Sequence, residues 1–205
     1  MAGNVGNAWQ ETFLVEITQP GVTLGNNNAE GITETIDWDF GEKDFDQIVL
    51  GNGGRLEKLT PEGITTLTLE CYPLNVGSGD ISAAAATVGF FDLLHAEDTT
   101  FPLLISGTRA RTRVRVAIMW TDDTTAGDAS DALAATANLG MRLTIADAFV
   151  TSVKPSFTDG ILKFTIVFKV VPFDASGNNN IQFESADGTV ALLPALASYT
   201  TTTKF

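Results

Sequence analysis

The sequence predicts a mainly β protein, a β-sandwich or barrel with one packed α-helix, a long inter-strand loop and N- and C-terminal arms. Period-two alternation of apolar and polar residues recurs along most of the chain, whereas one stretch alone carries clear helical spacing. Turn dipeptides punctuate the alternating runs. The chain has 205 residues, 44% of them hydrophobic, which suffices for one well-filled core. A single domain over residues 11 to 188 is therefore expected, with arms at 1 to 10 and 189 to 205.

The first strand is expected at Glu11 to Thr18. In Ile32 to Phe40, the residues Ile32, Ile36, Trp38 and Phe40 alternate with Thr33, Thr35, Asp37 and Asp39, the pattern of a strand with one wet face. Ile64 to Tyr72 sets Leu67, Leu69 and Cys71 against Thr66, Thr68 and Glu70. Between them, residues 41 to 63 form a connection far longer than the two to five or so residues that close a hairpin, and it carries Phe45, Ile48, Val49, Leu50 and Leu56. Asp80 is placed to cap a helix whose stripe is Ile81, Ala84, Ala85, Val88, Phe91 and Leu94.

In Thr112 to Trp120, Val114, Val116, Ile118 and Trp120 share one face, with Arg111, Arg113 and Arg115 on the other. Asp128 to Leu139, rich in Ala, predicts a short helix. Met141 to Val153 is apolar on both faces, Leu143, Ile145 and Phe149 on one and Ala146, Ala148 and Val150 on the other, as in a strand buried twice over. Asp159-Gly160 turns it into Ile161 to Val171, whose Leu162, Phe164, Ile166, Phe168 and Val170 point to the centre of a core. Both arms are unpatterned yet hold Trp9, Leu192, Leu193, Leu196, Tyr199 and Phe205, which predicts that neighbouring subunits cover them.

Charge narrows the function. Twenty-five acidic residues face 12 basic ones, a net charge of −13, which argues against binding nucleic acid through a broad basic face. One Cys and one His exclude a zinc cluster and a disulfide framework. The opening residues lack a basic segment followed by an apolar run, and no stretch reaches the roughly 18 apolar residues of a membrane span, so a soluble chain without a membrane anchor is expected.

Several constellations invite a chemical reading and do not sustain one. Asp37, Asp39, Glu42, Asp44 and Asp46 are dense enough to attract calcium, but their spacing misses the calcium-loop pattern and Lys43 interrupts them. Gly51-Asn52-Gly53-Gly54-Arg55 lacks the Gly-Lys-Ser/Thr ending of a phosphate loop. His95 lies near Glu97 and Asp98 with no nucleophile motif to serve, and Cys71 sits on the apolar face of its strand. No enzyme and no cofactor are expected. Arg109, Arg111, Arg113 and Arg115 place four of the 12 basic residues on one strand face. In so acidic a chain they are read as charge pairs between subunits, in preference to a track for phosphates.

An arrangement of this kind, a β-domain with a long apolar loop and two arms, describes a self-assembling subunit. Ile32-Thr-Glu-Thr-Ile-Asp-Trp, the Leu50-Gly-Asn-Gly-Gly loop, Met141 to Val153 followed by Asp159-Gly160, and Phe164-Thr-Ile-Val-Phe-Lys-Val-Val-Pro-Phe-Asp resemble the tail tube proteins of long-tailed double-stranded DNA viruses over about residues 11 to 185. The resemblance implies a tail-tube-type barrel closing into rings, usually six-fold, stacked as a hollow viral tail tube through which genome DNA passes without specific binding. It also implies a virion location after assembly in the host cytoplasm, and tail terminator, tail tip and tape-measure partners. The inner tubes of contractile injection or type VI-like secretion machines share that fold and are the alternative. A carbohydrate-binding β-sandwich ranks lower, because Trp38 and Trp120 fall on inward faces and leave only Trp9 for a sugar platform.

Within that resemblance, Phe45, Ile48, Val49, Leu50, Arg55 and Leu56 are expected to carry ring stacking. Thr33, Thr35, Asp37, Thr66, Thr68 and Glu70 are expected to face the lumen as an acidic wall that repels the passing polyanion.

Overall fold

A computed structural model describes residues 13–18, 28–41, 45–49, 55–59, 63–75, 89–90, 113–123, 125–133, 139–173, 177–186 and 193–196. Among these residues are nine strands: β1 (Phe13–Thr18), β2 (Asn28–Asp39), β3 (Phe45–Val49), β4 (Arg55–Leu59), β5 (Thr65–Pro73), β6 (Arg113–Thr121), β7 (Gly140–Thr158), β8 (Ile161–Val170) and β9 (Ile181–Ala186). Six of them run in the order β6-β1-β2-β5-β8-β7, and a further β6–β7 pairing closes the sheet on itself. The result is an antiparallel barrel, which leaves no open edge among its six strands. The 19 residues of β7 let one strand serve three neighbours. Its first half lies between β6 and β9, and its second half forms a hairpin with β8.

The alternation read from the sequence fills the barrel. Val15, Ile17, Leu67, Leu69, Cys71, Val114, Val116, Ile118, Leu143, Ile145, Phe164, Ile166, Phe168 and Val170 form one continuous buried core. Among the described residues, these side chains occupy the barrel interior. Phe90, fully buried, stacks on Phe164 with ring centroids 5.3 Å apart. Gly31 makes room for that ring: a Cβ there would stand 2.9 Å from both Phe90 Cζ and the Tyr72 carbonyl oxygen. Gly31→Ala is expected to lower stability by about 1 to 3 kcal/mol, the range of an overpacked core, measured by urea denaturation. An unchanged midpoint would show that Phe90 yields freely.

Three β-bulges correct the expected facing. Between Thr33 and Thr35 the β2–β5 register slips, so Ile36 and Trp38 pair with Leu69 and Leu67, whereas Ile32 pairs with Tyr72. Ile32 therefore shares the outer face with Leu14, and buried Thr33 turns inward beside Cys71. Phe40, expected inside, is 66% exposed at the strand's end. In β7 a bulge opposite Val114 and Val116 reverses the alternation, so Leu143, Ile145, Ala148 and Val150 all face the core and Phe149 faces out. Asn180 satisfies the backbone opened there: its amide donates to the Asp147 and Val171 carbonyl oxygens at 2.8 Å each, and its own carbonyl accepts from Ala146 N at 3.0 Å. The third bulge, between Val150 and Ser152, lies in the β7–β8 hairpin.

The expected helix from Asp80 lies outside the described residues, apart from Gly89 and Phe90. Residues 125 to 133 are turns, not the start of a helix. Asp side chains hold them: Gly127 N donates to Asp131 Oδ2 at 2.7 Å and Ser130 N to Asp128 Oδ1 at 2.8 Å, bonds that compete with helical ones. The long connection 41 to 63 contains its own hairpin, β3 paired to β4 from Phe45↔Leu59 to Val49↔Arg55. Two-sided burial of β7 holds from Arg142 to Ala146. A second cluster there, Leu14, Ala117, Met119, Ala129, Leu133 and Leu193, covers the outer face of β1 and β6. Leu193 is thus covered by its own chain, against the expectation for the C-terminal arm.

Candidate assembly surfaces

Three features of the barrel exterior are candidates for assembly. The first is a polar wall spread over β2, β5, β8 and the second half of β7. Cross-strand pairs Asp37↔Thr68, Thr66↔Lys169, Glu70↔Thr165 and Lys154↔Thr165 lie on this outer face, since their neighbours Leu67, Leu69, Phe164 and Ile166 fill the core. Lys163 Nζ meets Glu70 Oε2 at 3.0 Å, and this bond raises the lysine pKa above its usual value. Lys169 Nζ donates to Thr66 Oγ1 at 2.6 Å. Tyr72 OH donates to Glu34 Oε2 at 2.8 Å, which raises the phenol pKa. Three of the chain's six lysines stand on this wall. Its charge is mixed, where the Thr and carboxylate positions of β2 and β5 alone predict an acidic surface.

The second feature is the placement of exposed apolar side chains. Of nine such large residues among those described, Phe40, Ile64, Val171, Phe173 and Phe183 lie at one end of the barrel, and Leu74, Phe157 and Ile161 at the other. Phe149 is the exception on the side wall, where the Arg113 guanidinium covers it 5.2 Å from the ring centroid. At the first end a hollow of about 440 Å³ is lined by Phe13, Ile36, Trp38, Phe40, Trp120 and Phe183 among others. The opposite end is the β7–β8 turn, where Asp159 (φ 53°) and Gly160 (φ 79°) take the left-handed conformations of a tight hairpin.

The third feature is a strap of residues 125 to 133 and 193 to 196 across buried charges. Leu133 N donates to the Leu193 carbonyl oxygen at 3.0 Å and Leu196 N to that of Ser130 at 2.9 Å. Arg142, wholly buried, anchors both segments: Nη1 donates to the Asp131 carbonyl oxygen at 3.0 Å, and Nη2 to that of Pro194 at 2.6 Å and to Glu184 Oε2 at 2.9 Å. Glu16 is buried nearby with neither carboxylate oxygen hydrogen-bonded. Burial, then the charge of Asp128, pushes its pKa up to about 7, and the proximity of Ser130 and Arg115 offsets this only in part. The Ser130 hydroxyl is committed to Asp128 Oδ1 at 2.7 Å.

No protein-family profile and no curated protein matches the chain by sequence. Among solved structures, it is similar to a chain of the PVC sheath-tube complex of an extracellular contractile injection system in the extended state, at 14% identity over 86% of this chain and 90% of that one, TM-score 0.45. It is also similar to a chain of the PVC sheath/tube terminator in the extended state (14% identity, 84% and 92% covered, TM-score 0.37) and to the anti-feeding prophage tube terminating cap (12%, 86% and 90%, TM-score 0.38). Likeness at this level leaves function to be argued from the chain's own surfaces.

The residues singled out in the sequence distribute unevenly over those surfaces. Thr35, Asp37, Thr66, Thr68 and Glu70 share the polar wall, whereas Thr33 is removed from it by the bulge and donates inside to the Glu70 carbonyl oxygen at 2.6 Å. Arg113 pairs within the chain with Asp147, and Arg115 is wholly buried on the face of Glu16. Arg109, Arg111, His95, Leu50 and most of residues 76 to 112 lie outside the described residues. Cys71 is buried, with its thiol pushed up to about 12 by loss of water. Among the described residues no three His, Cys, Asp or Glu side chains converge as metal ligands, and no helix is long and apolar enough to cross a membrane. Sequence reasoning missed β9, although Ile181 and Phe183 alternate with Gln182 and Glu184, and it gave Arg142 no role.

Proposed function

We propose that this chain is a structural subunit of a tail tube, assembling into rings stacked as a hollow conduit for DNA in a tailed virus. The observation that carries the reading is the polar wall: a four-stranded outer surface whose large exposed apolar side chains, among the described residues, are Phe149 under its arginine and Phe157 and Ile161 at the hairpin end, on a barrel whose interior is filled. Such a barrel cannot conduct through its own core, so a conduit must be enclosed between subunits. Thr35, Asp37, Thr66, Thr68 and Glu70 then face the lumen together with Lys154, Lys163 and Lys169. Lys163 is ion-paired with Glu70, and Asp37 and Asp39 on the same face offset Lys154 and Lys169, so the wall has no net positive charge to arrest a moving duplex and transit is sequence-blind. The hairpin of β3 and β4, with Phe45, Ile48, Val49, Leu50, Arg55 and Leu56, carries ring stacking, and Arg109 and Arg111 pair with carboxylates of neighbouring subunits. Terminator, tip and tape-measure proteins are the further partners, and the virion tail is the location.

The inner tube of a contractile injection machine is the second reading, since the sequence resemblance covers both and the same wall would serve either. Labelling Thr68→Cys in assembled protein tests the lumen assignment, because Cys71 is buried and unreactive. A small maleimide should label the assembled tubes and one too bulky for the bore should not. Equal labelling by both would place Thr68 on the outside and remove the lumen assignment.

A further inference from the structure

We infer that the strap of residues 125 to 133 and 193 to 196 is a pH-sensitive latch, docked on the outer face of β1 and β6 while Glu16 holds a proton and lifted from it, with the barrel intact, once Glu16 ionises. The alternation of β1 sends Val15 and Ile17 into the core and Glu16 to the outer face. There Glu16 is wholly buried, and among the described residues neither carboxylate oxygen has a hydrogen-bond partner. An ionised carboxylate has several acceptor sites to fill, so one shut from water with none filled is far costlier than the neutral acid.

The groups around Glu16 assign the proton. Directly across the β1–β2 pair stands Glu30, whose Oε2 accepts from Asn75 Nδ2 at 2.9 Å. The strap contributes Asp128, whose Oδ1 accepts from the Ser130 amide at 2.8 Å and from its hydroxyl at 2.7 Å. In the same turn Asp131 Oδ2 accepts from Gly127 N at 2.7 Å and Asp128 N at 3.3 Å. These three carboxylates have donors that suit the ionised form, and Glu16 has none. On the β6 side the buried Arg115 shares the face and offsets the negative charge in part. Arg142, farther along the face on β7, is held by Glu184. Burial and then the Asp128 charge accordingly raise the Glu16 pKa from 4.5 to about 7.

Ionisation is relieved at least cost by moving the strap. β1 is paired along its length with β6 and over five residues with β2, so turning Glu16 out to water would break the barrel wall. The two pieces of the strap are joined by the bonds from Leu133 N to the Leu193 carbonyl oxygen and from Leu196 N to that of Ser130. Ser130 therefore couples the Asp128 carboxylate to the C-terminal piece, and repulsion between Glu16 and Asp128 acts on the residue that fastens Leu196. The Arg142 anchor stays charged at every pH concerned and does not titrate with it. Docked, the strap keeps the proton on Glu16, and lifted, it lets the carboxyl return towards 4.5. Docking is complete below about pH 4.5 and weakens as pH rises through 7. The inference does not rest on the tube reading.

Hydrogen exchange tests it, read at the Leu133 and Leu196 amides of the strap and at amides of β5 and β8, with the intrinsic pH dependence of exchange removed. In the parent the strap amides should lose protection by roughly tenfold between pH 6 and pH 8, while the barrel amides keep theirs. Glu16→Gln should hold the strap's protection constant over that range. Asp128→Asn keeps the Oδ1 acceptor for Ser130 and should shrink the loss, and it carries the test if Glu16→Gln does not fold. Equal pH slopes in parent and variant would reject Glu16 as the trigger. Equal losses at strap and barrel amides would reject the latch, because Glu16 would then act on the whole fold.

Discussion

Replacing Arg142 with Ala should destabilise the protein by about 3 kcal/mol and release the strap that crosses the outer face of β1 and β6. The side chain is wholly buried, and it serves three segments remote in sequence: the Asp131 and Pro194 carbonyl oxygens and the Glu184 carboxylate. Truncation leaves two carbonyl groups without their donor, each costing about 1 to 3 kcal/mol when shut from water. The ion pair adds less, because Glu184 remains 35% exposed and water can take over its solvation. Lys in place of Arg should recover only part of the loss, since one ammonium cannot reproduce a planar fork directed at three acceptors. Urea denaturation measures the change, and limited proteolysis should find new cleavage beyond Pro194. A loss below about 1 kcal/mol with unchanged cleavage would mean that Leu133 and Leu193 hold the strap by packing alone.

Glu16→Gln should have the opposite sign and depend on pH. The carboxyl of Glu16 has its pKa raised from 4.5 to about 7 in the folded chain, first by burial and then by the Asp128 charge. A raised folded pKa means that the folded state binds the proton more tightly than the unfolded state. The associated stability is complete below about pH 4.5 and is lost as pH rises through 7. Above that window the ionised group costs about 3 kcal/mol relative to its protonated form, since one pKa unit corresponds to about 1.4 kcal/mol. Gln carries no charge to desolvate. The variant should therefore be more stable than the parent at pH 8 by up to that amount and nearly equal to it at pH 4.5. Denaturation midpoints at four pH values between these limits settle the slope. Parallel curves for the two proteins would show that Arg115 holds the carboxylate ionised throughout.

Six of the nine strands were legible in the sequence because a half-buried strand must alternate: β1, β2, β5, β6, β7 and β8 each place apolar residues two apart. The Asp159-Gly160 hairpin was legible because few other dipeptides accept two left-handed residues in succession. The facing within β2 and β7 was not. A bulge inserts one residue and reverses every side chain beyond it, so Ile32 and Ile36 part company and Phe149 leaves the core, with no change in the local pattern to announce it. Asp128 and Asp131 illustrate a different limit, since the same side chains that cap a helix also hold turns.

The sequence by itself determined the β class, the polar alternation that becomes the wall, the deficit of basic charge and the lack of any cluster of Cys and His. These depend on residue type and on neighbours two positions away. The tertiary structure alone decided that β6 pairs with β7 to close the barrel and that Lys163 sits beside Glu70 across 93 positions of sequence. It also joined Arg142 to Glu184 and Pro194, and gathered the exposed apolar residues at the two ends. Contacts of that range follow from register and closure. Register is fixed by the sum of all cross-strand pairs together with the bulges that shift them, a property of the assembled sheet and of no single segment.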